Sequence, residues 1–369
     1  MAKNWIVPYI ELGKEIEPFK KDYLNAFEKV LDSGHYIMGP ELSNFEKEFA
    51  DFCQSPMAMG VATGTDALYL VLKSLNLKEE DEVITAPNSF LASASSIALA
   101  GARPVFADIG EDGNIDPEKL ESVINDNTKV IMPVHLTGRP ARMPEILEIA
   151  NNHGLFVLED AAQAIGARLN DRRVGSWGDA ACFSLHPLKN LRAIGDGGMI
   201  TTKQEELYKK LKIARNHGLV SRDQCDYWSY NSRLDELQAS LLRIQIRQLE
   251  ASTEARRKLA LRYNKLLKPY VVTPDEGPGE HCVYQTYVIK AEKRDSLQHH
   301  LVDNGVEALI HYATPIHIQP AAKYLGYAPS DFPQTMKHVN QIMSLPVYPS
   351  MTLQQQDTVI ELIHTFYNS

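Results

Sequence analysis

Two stretches carry residue types that could do chemistry together: Phe156-Val157-Leu158-Glu159-Asp160-Ala161-Ala162-Gln163 and Ala181-Cys182-Phe183-Ser184-Leu185-His186-Pro187-Leu188-Lys189-Asn190. In each, an apolar, β-rich run stops abruptly at polar residues, the pattern of a buried strand that delivers side chains at its carboxyl end. Ligands bind at those ends in open parallel sheets. If the two strands are neighbours, Asp160, Gln163, Ser184 and Lys189 converge on one crevice. Taken singly, each has an ordinary explanation: an aspartate at a strand end serves a turn or a helix cap, and a lysine faces water. The set, in this order, points to chemistry.

The four types answer four parts of one cofactor, pyridoxal phosphate. A lysine amine forms a Schiff base with its aldehyde, and an acid beside the pyridine nitrogen keeps that nitrogen protonated, so that the ring can accept electrons. Lys189 and Asp160 suit those two posts as the catalytic pair. Gln163 is spaced to reach the ring hydroxyl and Ser184 to reach the phosphate.

Such residues need a scaffold, and the pattern supplies one. Met59-Gly60-Val61-Ala62-Thr63-Gly64-Thr65-Asp66 reads as a short strand, a turn and a helix start, whose free N–H groups make Gly64 and Thr65 candidate phosphate ligands; an N-cap is the plainer reading. No GxGxxG dinucleotide fingerprint occurs there. Glu82-Val83-Ile84-Thr85, Pro104-Val105-Phe106 and Val130-Ile131-Met132-Pro133-Val134-His135 are further apolar runs separated by helical pattern, which predicts a mostly parallel sheet flanked by helices. Upstream, Phe19, Tyr23, Phe27 and Leu31, then Leu42, Phe45, Phe49 and Phe52, recur at helical spacing and are expected to be core. Beyond about Ser252 the pattern changes to a smaller α+β unit, so the expected division is 1–251 for a large cofactor-binding domain and 252–369 for a small C-terminal one.

These motifs, together with Ser33-Gly34-His35-Tyr36-Ile37-Met38-Gly39-Pro40 and Leu345-Pro346-Val347-Tyr348-Pro349, resemble nearly end to end the DegT/DnrJ/EryC1/StrS family of sugar aminotransferases. The resemblance implies the α/β architecture of fold-type-I pyridoxal-phosphate enzymes and a two-stage transfer of an amino group from L-glutamate to a ketosugar, with Lys189 shuttling the proton. It tips Gly64 and Thr65 toward the phosphate and Phe90 toward stacking on the cofactor ring, although packing under its loop is the alternative. It implies that Asn231, otherwise a helix cap, reaches the phosphate of a neighbouring subunit across a homodimer interface. Tyr36, His311 and His317 become candidates for the substrate side. The chain departs from the family pattern at Thr137, where a tyrosine is common, and at Arg192, where glycine is common; a solvated Arg192 is the expectation.

Composition sets outer limits. The 369 residues, 44% hydrophobic and 23% charged, suffice for a sizeable core, and the net charge of −9 without a basic block argues against nucleic acid or an anionic membrane as partner. Cys53, Cys182, Cys225 and Cys282 form no CxxC pair, which argues against a disulfide framework and fits a reducing compartment. His311 and His317 lack the acidic or cysteine company of a metal site, so no metal is expected. The start at Met1-Ala2-Lys3-Asn4-Trp5-Ile6-Val7 shows no signal-peptide pattern, and no run of ~18 apolar residues occurs, so a cytoplasmic protein is expected. Within the implied activity, the Asn231 to Ala239 wording favours a nucleotide-linked 3-keto- or 4-keto-deoxyhexose, destined for a surface polysaccharide or a glycosylated product. A ketosugar acid without a nucleotide is the alternative substrate. A sugar deoxygenase, which would carry histidine in place of Lys189, or a non-catalytic regulator is the alternative of another class.

Overall fold

The computed structural model describes residues 4–368, so the Met1-Ala2-Lys3 part of the N-terminal stretch lies outside the described residues. Its centre is a seven-stranded sheet in the order Met57–Val61, Gly198–Thr202, Ala180–Ser184, Phe156–Asp160, Thr128–Ile131, Glu82–Thr85, Arg103–Phe106. Only Gly198–Thr202 runs antiparallel to its neighbours. The others therefore end at the same edge, and Phe156–Asp160 pairs directly with Ala180–Ser184, Asp160 opposite Cys182. This pairing brings the two polar strand ends side by side. Buried apolar clusters cover both faces of the sheet, as parallel strands require.

Two carboxylates far apart in sequence lock the frame. Glu159, fully buried, accepts from the N–H groups of Trp177 at 2.9 Å and of Gly175 and Gly178 at 2.8 Å, tying the hairpin of Arg168–Leu169 and Arg172–Arg173 to the sheet. Glu236, at the start of the helix Glu236–Ile246, accepts from the N–H of Gly39 at 2.9 Å and of Leu42 at 3.1 Å, and so satisfies the open N-terminus of the helix Pro40–Phe52. The apolar stripe of that helix, Leu42, Phe45 and Phe49, is buried as its spacing predicts.

The other predicted stripe differs. Pro18 breaks the first helical segment into Leu12–Ile16, a 3₁₀ turn at Glu17–Phe19 and Lys20–Ser33, which ends at Gly34 in the left-handed conformation. Tyr23 and Val30 are buried, but Leu24, Phe27 and Leu31 are 61%, 42% and 49% exposed, so this helix presents a second apolar face outward.

The C-terminal part packs helices around a two-stranded antiparallel sheet, Tyr287–Lys290 with Ile342–Leu345. The run from Val283 that alternates like a strand is a strand only from Tyr287, because Tyr284 holds a positive φ of 45°. The helix Leu249–Leu267 runs unbroken through the expected division at residues 251/252. Val7 also joins the C-terminal core and bridges to Val306, so the N-terminal arm packs with the later unit. Among the described residues no helix is long and apolar enough to cross a membrane.

Candidate active site

At the carboxyl edge of the sheet lies a cavity of about 430 Å³ whose wall includes Gly64, Thr65, Phe90, Asp160, Gln163, Ser184, Lys189 and His311. The structure thus brings most of the sequence-derived residues together, and each arrives on a definable element. Asp160 closes its strand, 4% exposed. Its Oδ2 accepts from the Ser93 hydroxyl at 2.7 Å and its Oδ1 from the Ala162 N–H at 3.2 Å. Burial raises the carboxyl above its usual range; the two hydrogen bonds and the nearby Lys189 pull against that rise. A buried carboxylate with this surplus of desolvation is poised to take a cationic partner.

Lys189 follows the neighbouring strand by a tight turn in which its N–H bonds the His186 carbonyl at 2.8 Å. Enclosure lowers its amine to about 8, with Asp160 opposing the shift. A lysine in this state is a better nucleophile near neutrality than a solvated one.

Across the cavity the helix Gly64–Ser74 begins at Thr63, whose side chain accepts from the Asp66 N–H at 2.9 Å. Thr63 therefore caps one first-turn donor, and the turn at Gly64 and Thr65 faces the cavity with the positive end of the helix behind it. Gly64 must be bare, since a Cβ there would lie 2.8 Å from Ser184 Cβ. The Ser184 Oγ accepts from the His186 N–H at 3.3 Å, which leaves its proton to donate. Ser232 braces this turn, accepting from the Ala62 N–H at 3.1 Å and donating to Asp66 at 2.7 Å. These neutral donors, an enclosed amine and a buried acid fit the phosphate, aldehyde and ring nitrogen of pyridoxal phosphate.

Three predicted residues lie elsewhere. Asn231 is exposed and bridges to Asn216, outside this chain's own cavity. Tyr36 is 53% exposed, away from the cavity wall. His317, 1% exposed, packs on Phe332 at 4.7 Å between ring centroids and does not line the cavity. Phe90 does line it, 53% exposed, with its ring 5.6 Å from that of Tyr312. Among the described residues no group of three His, Cys, Asp or Glu side chains could hold a metal ion. Arg192 corrects the expectation of a solvated side chain: it is 9% exposed and ion-paired with the equally buried Glu15.

Sequence reasoning passed over Ser93 and Tyr312, and marked Thr137 only as a departure from the family pattern. A serine 67 positions before Asp160 and a tyrosine 149 positions after Gln163 carry no local signal of these contacts.

The model of the DegT/DnrJ/EryC1/StrS aminotransferase family matches residues 18–364. A pleiotropic regulatory protein of Geobacillus stearothermophilus is 41% identical over 98% of both chains. The dTDP-3-amino-3,4,6-trideoxy-α-D-glucose transaminase of Streptomyces venezuelae is 38% identical over 97% of this chain and 95% of its own. Among solved structures, S. venezuelae DesV in complex with a ketimine intermediate superposes with a TM-score of 0.96 at 37% identity, covering 98% of this chain and 99% of the other. The chain belongs to the DegT/DnrJ/EryC1/StrS aminotransferase family, whose cofactor is pyridoxal phosphate.

Proposed function

We propose that the protein moves an amino group from L-glutamate to the carbonyl of a nucleotide-linked ketodeoxyhexose, making an amino sugar. The observation that carries the reading is the single cavity joining the Lys189 amine, the buried Asp160 carboxylate and the Gly64 to Ser184 donor turn. The similarity to a transaminase named for a dTDP-linked 3-amino sugar supports the substrate class and favours amination at C3.

When bound, pyridoxal phosphate supplies an aldehyde that captures amines and a ring that takes up the charge of a deprotonated carbon. The protein's residues do the rest. Ser184 and the Gly64 and Thr65 N–H groups hold the phosphate. Asp160 would place a negative charge by the ring nitrogen, Phe90 would stack on the ring and Gln163 would hydrogen-bond the ring oxygen. With the cofactor bound, Lys189 would hold its aldehyde and, as a free amine, would serve as the acid and base that moves a proton at the donor carbon and, in the reverse sense, at the ketosugar carbon. His311 reaches the cavity from the C-terminal unit, its Nδ1 2.9 Å from Ser344 Oγ; burial lowers it to about 4, so it meets substrate as a neutral imidazole.

With glutamate as donor and a panel of dTDP- and UDP-linked 3-keto and 4-keto deoxyhexoses and free ketosugar acids, turnover is expected on nucleotide-linked ketodeoxyhexoses. Turnover confined to acids lacking a nucleotide overturns the substrate assignment.

The assembly we propose is a homodimer with shared sites. Asn231 sits outside its own cavity on a segment that continues the exposed Tyr227, Trp228 and Tyr230, and Leu24, Phe27 and Leu31 form an uncovered apolar face. Mixing two inactive variants, Lys189→Ala and Asn231→Ala, is expected to restore activity, because mixed dimers then hold one complete site. Activity that stays at the level of the separate variants would exclude sharing. The four cysteines are unpaired, which supports a cytoplasmic setting.

A further inference from the structure

Thr137, Gln163 and Tyr312 form a chain of hydrogen bonds with one direction. Thr137 is a β-branched residue at φ +60°, a backbone conformation that needs a reason. Its consequence is visible: the Thr137 N–H turns toward Gln163 and donates to Oε1 at 2.7 Å. With its carbonyl end fixed there, the Gln163 amide presents its nitrogen on the opposite side, where Nε2 donates to Tyr312 Oη at 3.2 Å. Gly138, next along, could not carry a side chain, since a Cβ would lie 2.8 Å from Val283 Cγ2 and 2.9 Å from the Gln285 N. The turn is therefore pinned between the sheet edge and the C-terminal unit.

Direction decides what Tyr312 can offer. Its oxygen already accepts from Gln163, so its own proton is left for an acceptor elsewhere, and the residue lines the cavity beside Gln163 and Phe90. Reversing the chain would leave the partly buried Thr137 N–H facing an amide N–H, and a donor shielded from water without an acceptor is costly. Both the free Gln163 N–H and the Tyr312 O–H are thus donors, and they converge on one region of the cavity wall.

We propose that Tyr312 is a further positioning residue for the cofactor, donating with Gln163 to the ionised ring oxygen of pyridoxal phosphate, and that Thr137 fixes the polarity of the pair. The proposal rests on the reading of this cavity as the cofactor site. Two donors on one oxygen hold it as an anion and orient the ring, and because Tyr312 comes from the C-terminal unit while Gln163 comes from the sheet, the cofactor ties the two together.

The experiment titrates apo-protein with pyridoxal 5′-phosphate and follows the visible absorbance of the reconstituted protein against pH, for wild type, Tyr312→Phe, Gln163→Leu and the double variant. Tyr312→Phe keeps the ring against Phe90, and an unchanged melting temperature of the apo form shows that the fold is intact. Expected are a Kd about tenfold weaker and an absorbance midpoint about one pH unit higher in Tyr312→Phe, because losing a donor to an anion makes its protonation easier. The double variant is expected to fall short of the sum of the single shifts, as linked groups do. A Tyr312→Phe midpoint and Kd within a factor of two of wild type, with a changed KM for ketosugar alone, would place the hydroxyl on the substrate and overturn the proposal. Wild type that fails to take up the cofactor at all would instead overturn the site assignment itself, so the two failures are distinguishable.

Discussion

Lys189→Ala loses amino-group exchange. The expected fall is at least about 10³-fold for each half-reaction, because one side chain serves both as the anchor for the cofactor aldehyde and as the proton carrier, and proton transfer by a positioned group alone contributes roughly 10²–10⁴-fold. The fold should survive, since Lys189 is a turn residue whose backbone bond to the His186 carbonyl an alanine retains. A pH signature accompanies the loss. Only the neutral amine attacks an aldehyde, and with its value lowered to about 8, roughly one in ten Lys189 amines is neutral at pH 7, against roughly one in 3,000 for an amine at ~10.5. In wild type the rate of cofactor capture by the apo-protein should therefore rise about tenfold per pH unit below 8 and level off above it. Stopped-flow absorbance measures this directly, and borohydride should fix the cofactor to residue 189 in wild type and to nothing in the variant. The regulatory name borne by one close relative makes the comparison decisive. A purely regulatory role has no need of an enclosed amine and predicts no exchange in wild type, whereas exchange that persisted in Lys189→Ala would remove Lys189 from the mechanism.

How much of this was legible in the residues depended on whether the physics was local. The two strand ends were, because strands buried on both faces read as apolar runs, and the stop at Asp160 and at Ser184 marks the sheet edge whatever else surrounds it. The turn at Thr63 to Asp66 was also legible, as capping chemistry is written within four residues. Amphipathic spacing was only half informative: it found the apolar faces of both N-terminal helices but not their partners, so Phe27 and Leu31 read as core although they face outward, while Phe45 and Phe49 are buried. The charged pattern after Ser252 suggested a boundary, yet helical periodicity continues through it, and the chain passes into the C-terminal unit along the continuous helix Leu249–Leu267. Least legible were contacts made by tertiary approach. Arg192 reads as solvated until Glu15, 177 positions away, is seen to pair with it inside the protein. Ser93 on Asp160 and Gln163 on Tyr312 are of the same kind.

Asp160→Asn separates the charge of that carboxylate from its shape. The amide is close to isosteric, its oxygen can keep the Ala162 N–H, and the Ser93 hydroxyl can turn to accept from the new NH₂, so neither buried partner is orphaned. What disappears is the negative charge beside the ring nitrogen. That nitrogen then has no buried counter-ion, and a cation left unpaired in a site where Asp160 is 4% exposed loses its proton instead. The ring can no longer take up charge from the donor carbon, so both half-reactions should slow on the order of 10³-fold, the scale seen when one preorganised electrostatic contact is removed at a reacting centre. Cofactor affinity should weaken as well, whereas the melting temperature of the apo-protein should hold or rise, because burial raises the wild-type carboxyl by more than its hydrogen bonds and Lys189 lower it. Single-turnover kinetics with glutamate, read beside apo-protein melting curves, distinguishes the two roles: a variant that melts earlier but exchanges amino groups at the wild-type rate would make Asp160 a packing residue and no partner of the ring.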